Sequence, residues 1–378
     1  MRLMHLSDLH IGIRVNEFSM LEDQEYILAQ ILDIAEREHP DGVIIAGDIY
    51  DKPVPPAEGV RLLDRFLSAL ADRNLPTFII SGNHDSAERT SFGARLMDGC
   101  GIHIAPVFDG QCRNFRLTDE YGAVRIWLLP FIKPATVRRF FPDREITSYN
   151  DAVAAVINQT ELYDGERNVL VCHQFITGAI TSESEQVTAG GIDNVDASLF
   201  DRFDYVALGH IHRPQRVMRD TVRYCGTPLK YSFSESKQQK SVTIVDLGEK
   251  GSVDIREIPL TPLRNMREIR GSYDEITLRE NYAGTDTNDY IRVTLTDEED
   301  VPDAIGKLRS IYPNIMRLDY DNSRTRSAGI IDGAADAEQK SPLQLFGELY
   351  ALQMGCEMSD EQAQFVENII EQLTEDEL

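Results

Sequence analysis

The sequence contains no apolar run approaching the ~18 to 20 residues that a membrane span requires, and Met1–His10 lacks the basic-then-apolar layout of a signal peptide. Those two absences make the cytoplasm the expected location. Cysteine is scarce and unpatterned: Cys100, Cys112, Cys172, Cys225 and Cys356 are odd in number, scattered and without CxxC spacing. A disulfide framework and a zinc knuckle are thereby excluded, and reduced thiols are expected. Positive charge is in short supply as well, with 38 Lys and Arg against 63 Asp and Glu, a formal net charge of −25, and no Lys or Arg after Lys340. A surface this acidic excludes gripping nucleic acid by phosphate neutralisation over the whole molecule. It leaves open a local cleft in which divalent cations and a few Arg and Lys dominate the field.

What is present is enough apolar residue to bury, 42% of a chain of 378 residues, which is more than one core usually organises. Up to about residue 258, short apolar strands alternate with helical patterns in the rhythm of an α/β domain. The strands are expected at Arg2–Leu6, Val43–Ala46, Thr77–Ile80, Ile126–Leu129, Val169–Cys172, Tyr205–Leu208 and Val242–Asp246. Between Pro56 and Asp72, Val60, Leu63, Phe66, Leu67 and Leu70 fall at helical spacing, with Leu62 and Ala69 widening the apolar set. That surplus either packs on the sheet or faces a second copy of the chain. Residues 259–325 read as a separate small α+β unit, 326–340 as a Gly-, Ala- and Ser-rich linker, and 341–378 as two helices. Ser341 and Pro342 suit a helix start, Gly355 a stop, and Ser359 with Gln362 a capping box. Phe365, Val366, Ile369, Ile370 and Leu373 form an apolar stripe opposite a crowd of acids. Such a pair must hide its stripe, either on its own chain or on a partner that supplies basic residues.

The chemistry lies where strands stop. Asp8 and His10 follow the first strand, Asp48 and Asp51 the second, and Asn83, His84 and Asp85 the third; His173, and then His210 with His212, follow two later ones. Sites in α/β sheets form beyond the carboxyl ends of strands, so these five loops should converge. Buried together without metal, so many acids and imidazoles would be costly to desolvate, whereas divalent cations turn them into ligands. Carboxylate, amide and imidazole without thiolate suit manganese or iron, with zinc possible. Asp8 and His10 are two apart, as are His210 and His212, so extended backbone would aim both members of each pair to one side. Two metals about 4 Å apart, bridged by a carboxylate, clamp an in-line attack on phosphorus. Asp48 is the natural bridge. His5, His39 and His103 lack such company and are expected to be structural.

The order of these motifs resembles that of the calcineurin-like metallophosphoesterases. The resemblance implies a β-sandwich core flanked by helices. It also implies a first metal held by Asp8, His10, Asp48 and His212 and a second held by Asp48, Asn83, His173 and His210. His84 would face the phosphate and serve the leaving oxygen, with Asp51 placed to orient it. Phosphoprotein phosphatases carry Arg and Glu where this chain has Lys52 and Asp85, which counts against that branch. Residues 182–215 and 224–251, and "SPLQLFGELY" near the end, are similar to the SbcD family of bacterial double-strand-break repair nucleases. That similarity implies residues 1–258 as the nuclease unit, 259–325 as a capping domain and 341–378 as the segment that binds the ATPase SbcC. It further implies two Mn²⁺ ions, a homodimer, 3′ to 5′ exonuclease action on double-stranded DNA ends, and endonuclease action on hairpins or blocked ends. ATP in SbcC would gate these activities in DNA repair and recombination. Lys133, Arg138, Arg139 and Lys230 are candidates for phosphate contact. Two other readings of the residues are a hydrolase of cyclic nucleotides or small phosphodiesters on the same fold, and a metal-free scaffold.

Overall fold

A computed structural model describes residues 1–185, 193–323, 325, 342–354, 358–359 and 362–367. Among these described residues there are seventeen strands, and the central ones of the two large sheets follow from where apolar residues run without interruption. The strands are β1 (Arg2–Leu6), β2 (Arg14–Val15), β3 (Phe18–Ser19), β4 (Gly42–Ala46), β5 (Thr77–Ile80), β6 (Ile102–Ala105), β7 (Arg113–Asp119), β8 (Gly122–Leu129) and β9 (Arg167–His173). After them come β10 (Tyr205–Gly209), β11 (Gln215–Val217), β12 (Arg219–Tyr224), β13 (Ser241–Leu247), β14 (Val253–Pro259), β15 (Met266–Gly271), β16 (Tyr290–Leu295) and β17 (Ile315–Tyr320).

Two six-stranded sheets, β14-β13-β1-β4-β5-β6 and β11-β12-β10-β9-β8-β7, face each other. Every residue of β4, β5, β9 and β10 is buried, because each strand is covered on both faces. The period of two sorts their side chains. Ile44, Ala46, Phe78 and Ile80 of the first sheet meet Val169, Val171, Tyr205 and Ala207 of the second in the layer between the sheets. Their neighbours Val43, Ile45 and Ile79 turn outward against the helices α1 (Leu21–Glu38) and α2 (Ala57–Asp72). Leu170, Cys172, Val206 and Leu208 face the helix Tyr149–Gln159 on the opposite outside. The result is the expected β-sandwich flanked by helices.

All seven expected strands are present, two with the expected bounds and the others longer by one to four residues. The sheets are mixed rather than wholly parallel. β13 pairs antiparallel with β1 and β14, and β7 and β11 pair antiparallel with β8 and β12. In α2 the core takes Leu62, Leu63, Phe66, Leu67 and Leu70, whereas Val60 is 44% exposed. Packing within the chain therefore absorbs nearly all of that helix's apolar surplus.

The segment after β14 forms a parallel three-stranded sheet, β15-β16-β17, around Ile276, Ile291, Val293, Leu295, Leu308 and Ile315. It is tied to the sandwich at one corner. Leu260, Met266, Tyr290 and Met316 join the cluster under α1. There the fully buried Asp23 of α1 accepts hydrogen bonds from Arg264 Nη1 (2.7 Å) and the Tyr290 hydroxyl (2.7 Å). The expected linker 326–340 lies outside the described residues, as do Ser341, Gly355, Ile369, Ile370 and Leu373. The helix Pro342–Met354 opens on proline as expected. The Ser359–Gln362 capping box is present, with Gln362 N donating to Ser359 Oγ and Ser359 N to Gln362 Oε1. Leu349 (53%) and Phe365 (66%) are exposed.

The three histidines without companions are structural. His39 caps α1 in the left-handed conformation, and His103 stacks on Phe78 and bonds Asp98. His5 is buried beside the Tyr205 hydroxyl at 2.9 Å. Burial, helped by Arg223, holds His5 down to about 3. The native state thus refuses a proton that the unfolded chain accepts below about 6.5, and stability is lost as pH falls from there toward 3, by up to about 1.4 kcal/mol per pH unit. Melting temperatures of the chelator-treated chain should accordingly fall less steeply between pH 7 and 5 in His5→Gln than in the parent. Equal slopes would exonerate His5.

Candidate metal centre

The strands that carry the expected site residues all end at the same edge of the sandwich. β1, β4 and β5 deliver Asp8 and His10, Asp48 and Asp51, and Asn83 and His84 from one sheet, while β9 and β10 deliver His173, His210 and His212 from the other. The loops stay in register beyond the strands because their backbones continue to pair. Asp8 N donates to Gly47 O (3.0 Å), His10 N to Asp48 O (3.0 Å) and Ile11 N to Ile49 O (2.9 Å). Gln24 of α1 reaches under the first loop, donating to His10 O (2.8 Å).

The backbone at these residues is not extended. Asp8 (φ 51°), His10 (φ 43°), Asp48 (φ 48°) and His210 (φ 101°) all lie at positive φ, a conformation that costs a non-glycine residue about 1–3 kcal/mol. The two-residue spacing does bring each pair into the site, through a left-handed turn instead of a pleat. Surrounding hydrogen bonds hold the strain. His210 N donates to Asp8 Oδ1 (2.9 Å), and His84 N to Asp48 Oδ1 (2.9 Å). Asp85, which could be mistaken for a ligand, is the brace of its loop, accepting from Gly82 N (2.9 Å), Tyr50 N (3.0 Å) and Ile49 N (3.1 Å).

The donor atoms gather in two groups, linked by a third set of His10, Asp48 and His84. Asp8, His10 and His212 form one, with His10 Nε2 and His212 Nε2 3.1 Å apart. Asp48, His173 and His210 form the other; His173 Nε2 lies 3.3 Å from Asp48 Oδ2, and Asn83 Oδ1 faces His173 Nε2 (3.1 Å) and His210 Nδ1 (2.9 Å). Asp48 also lies 3.7 Å from His10 Nε2, so its carboxylate stands between the groups. Every one of these residues except Asn83 and His84 is buried.

Such a cluster is electrostatically expensive. Burial pushes the Asp8 carboxyl up to about 7, and holds His10 down to about 4, His210 to about 3 and His212 well below the usual range. Burial also disfavours charge on His173, but Asp48 beside it overrides that and raises it to about 9, while Asp48 itself stays well below the carboxylate range. A protonated His173 thus supplies positive charge in the metal-free chain. Neutral imidazoles, carboxylates and an amide oxygen, with no thiol among them, are the donor set of a hard or borderline divalent cation, whose charge would replace that proton.

Two expectations need adjustment. His84 Nδ1 is held at 2.9 Å by the main-chain carbonyl of Asp51, whereas the Asp51 carboxylate sits 4.0 Å from His10 Nδ1. Lys230 donates to Ser236 O (2.5 Å) and Asn265 Oδ1 (2.9 Å), and so ties the sandwich to the three-stranded unit. Sequence reasoning missed the residues behind His212, namely Ser184, Glu185, Glu235 and Lys240. No metal-type spacing marks them.

Glycine makes the convergence possible. A Cβ on Gly82 would stand 2.1 Å from Asp48 Oδ1, and one on Gly47 2.3 Å from His173 Nδ1. Gly82→Ala should therefore push Asp48 off its position and lower the metal bound per chain, measured by elemental analysis after dialysis, while the far-ultraviolet circular dichroism stays unchanged. Full metal content would show that the loop can yield.

The sequence matches known families over most of its length. Residues 1–214 match the calcineurin-like phosphoesterase family, and residues 262–354 match the family described as the type 5 capsule protein repressor C-terminal domain. The chain is 34% identical over 334 residues to the SbcD subunit of nuclease SbcCD from Staphylococcus epidermidis, covering 86% of this chain and 88% of that protein. Among solved structures, a Thermus thermophilus protein aligns over 68% of this chain and 98% of its own at 11% identity, with a TM-score of 0.40. A dimetal phosphatase from Danio rerio aligns over 69% and 98%, also at 11% identity, with a TM-score of 0.39. The motifs at the strand ends, the sandwich that gathers them and the sequence matches agree: the chain belongs to the SbcD family of calcineurin-like phosphoesterases and is a metal-dependent phosphodiester hydrolase.

Proposed function

We propose that this chain is the Mn²⁺-dependent nuclease subunit of a complex with the ATPase SbcC, removing nucleotides 3′ to 5′ from double-stranded DNA ends and cutting hairpins or blocked ends. The observation that carries the reading is the shared Asp48 carboxylate between two donor groups. In it, Asp8, His10, Asp48 and His212 hold one Mn²⁺, and Asp48, Asn83, His173 and His210 hold a second. When bound, such cations polarise the phosphodiester and supply a nucleophile at neutral pH.

The chain's own residues do the rest. The Asp51 carbonyl can only accept, so His84 Nδ1 carries a proton in that 2.9 Å bond, and the ring passes a proton to the departing 3′ oxygen only as the imidazolium, from a second proton on Nε2. Asp48 holds His84 in place through its main-chain N–H. Asp85 keeps the loop from yielding by accepting from three backbone amides.

Exposed apolar side chains support the two partner surfaces of this reading. Leu349 and Phe365 support residues 341–378 as the SbcC-binding segment. Val60 of α2, together with Phe92 (85% exposed) and Leu96 (81%) beyond β5, supports a homodimer better than the buried stripe of that helix does. An acidic chain then leaves much of the DNA grip to its partner.

An end-labelled duplex should be degraded with manganese and spared with chelator. Cleavage confined to a small chromogenic phosphodiester would move the reading to a small-diester hydrolase. His84→Ala should keep its metals and lose cleavage about 10²- to 10⁴-fold, whereas Asp51→Asn, which retains the carbonyl, should lose much less; joint loss of metal and cleavage in His84→Ala would reassign it as a ligand. In sedimentation the chain alone should run as a dimer, and SbcC should give a heavier species that deletion of residues 341–378 abolishes without loss of DNA cleavage. Unchanged SbcC binding by the truncated chain would move that interface elsewhere.

A further inference from the structure

His212 is held from behind by a chain of buried polar groups. Its Nδ1 lies 2.7 Å from Ser184 Oγ, and Ser184 Oγ donates to Glu235 Oε1 at 2.5 Å. Glu235, fully buried, pairs through Oε2 with Lys240 Nζ at 2.6 Å. Lys240 Nζ also donates to His212 O (2.8 Å) and Gln238 Oε1 (3.0 Å). Glu185 Oε1 accepts the His212 main-chain N–H at 2.7 Å.

Counting protons along this chain leaves one arrangement. A carboxylate paired with an ammonium group offers only lone pairs, so the single hydroxyl proton of Ser184 points to Glu235. The bond to His212 must then be filled by a proton on Nδ1. That leaves the Nε2 lone pair free on the side where His10 Nε2 and Asp8 gather.

We infer that Ser184 is a positioning residue, relaying the Lys240–Glu235 pair to His212 so that the imidazole presents an unprotonated Nε2 to a divalent cation. Histidines that bind metal commonly donate their second nitrogen to a carboxylate or carbonyl, which fixes the tautomer. Here a serine stands between, so the carboxylate acts one bond further away and a residue of the Ser182–Glu185 stretch controls a donor on the β10 loop. The inference rests on reading His212 as a metal ligand, and its test separates the two.

In the full-length, metal-free chain labelled with ¹⁵N-histidine, two-bond ¹H–¹⁵N correlations report the tautomer of His212, assigned by its absence from His212→Ala. The parent should show Nδ1 protonated. Ser184→Ala, at an unchanged melting temperature, should lose that pattern, and calorimetric titration with MnCl₂ should show binding weakened about ten- to a hundredfold. Ser184→Thr, which keeps the hydroxyl, should restore both. A parent protonated on Nε2, or a Ser184→Ala chain with the parental tautomer and Mn²⁺ affinity, overturns the relay. If His212→Ala binds Mn²⁺ as tightly as the parent, the ligand reading fails and the tautomer measurement alone decides the relay.

Discussion

The structure depends on one close approach. Where β4 and β10 end, the two sheets come together so tightly that a Cβ on Gly209 would stand 1.9 Å from the Ala46 carbonyl oxygen. Elsewhere the sandwich is kept open by a layer of Ile, Val and Phe side chains. At this edge the spacer is removed, and loops from both sheets share one small volume. With a side chain at Gly209 the sheets would part, and His173 and His210 would draw away from Asp48 and Asn83.

The close approach carries costs that the surrounding protein offsets. Four site residues sit at positive φ, and two carboxylates and four imidazoles are withdrawn from water. Each of those costs is of order 1 kcal/mol or more, comparable with a sizeable fraction of a domain's net stability. The compensation is the continuous apolar packing of three layers together with backbone amides aimed at the carboxylates. Groups held this firmly need little rearrangement when a cation or phosphate arrives.

Much of this was legible in the sequence because the signals were redundant. Uninterrupted apolar runs marked the doubly covered strands, and polar groups immediately after them marked the site. The edge strands β7, β11 and β14 were not read, since half-exposed alternation such as that of Arg113–Asp119 resembles any surface segment. Val60 and Leu62 exchanged roles, Leu62 being buried and Val60 exposed, because helical spacing alone does not report which edge of a wide apolar stripe is covered. Asp51 was noticed for its carboxylate but meets His84 through its carbonyl, and a main-chain atom leaves no trace in residue identity. Ser184, Glu235 and Lys240 were invisible for another reason: long-range polar partners obey no local period.

The corner at which Arg264 and Tyr290 bond Asp23 has a consequence for how the chain divides. Tyr290 is the first residue of β16, the central strand of the small sheet, yet it is buried in the cluster beneath α1. Removing the small unit would strip Met266, Tyr290 and Met316 from that cluster and leave Asp23, wholly buried, facing water without its cation. The two units are joined both through α1 and through Lys230, which bonds Asn265. A boundary drawn from the sheets therefore cuts through one shared cluster of side chains.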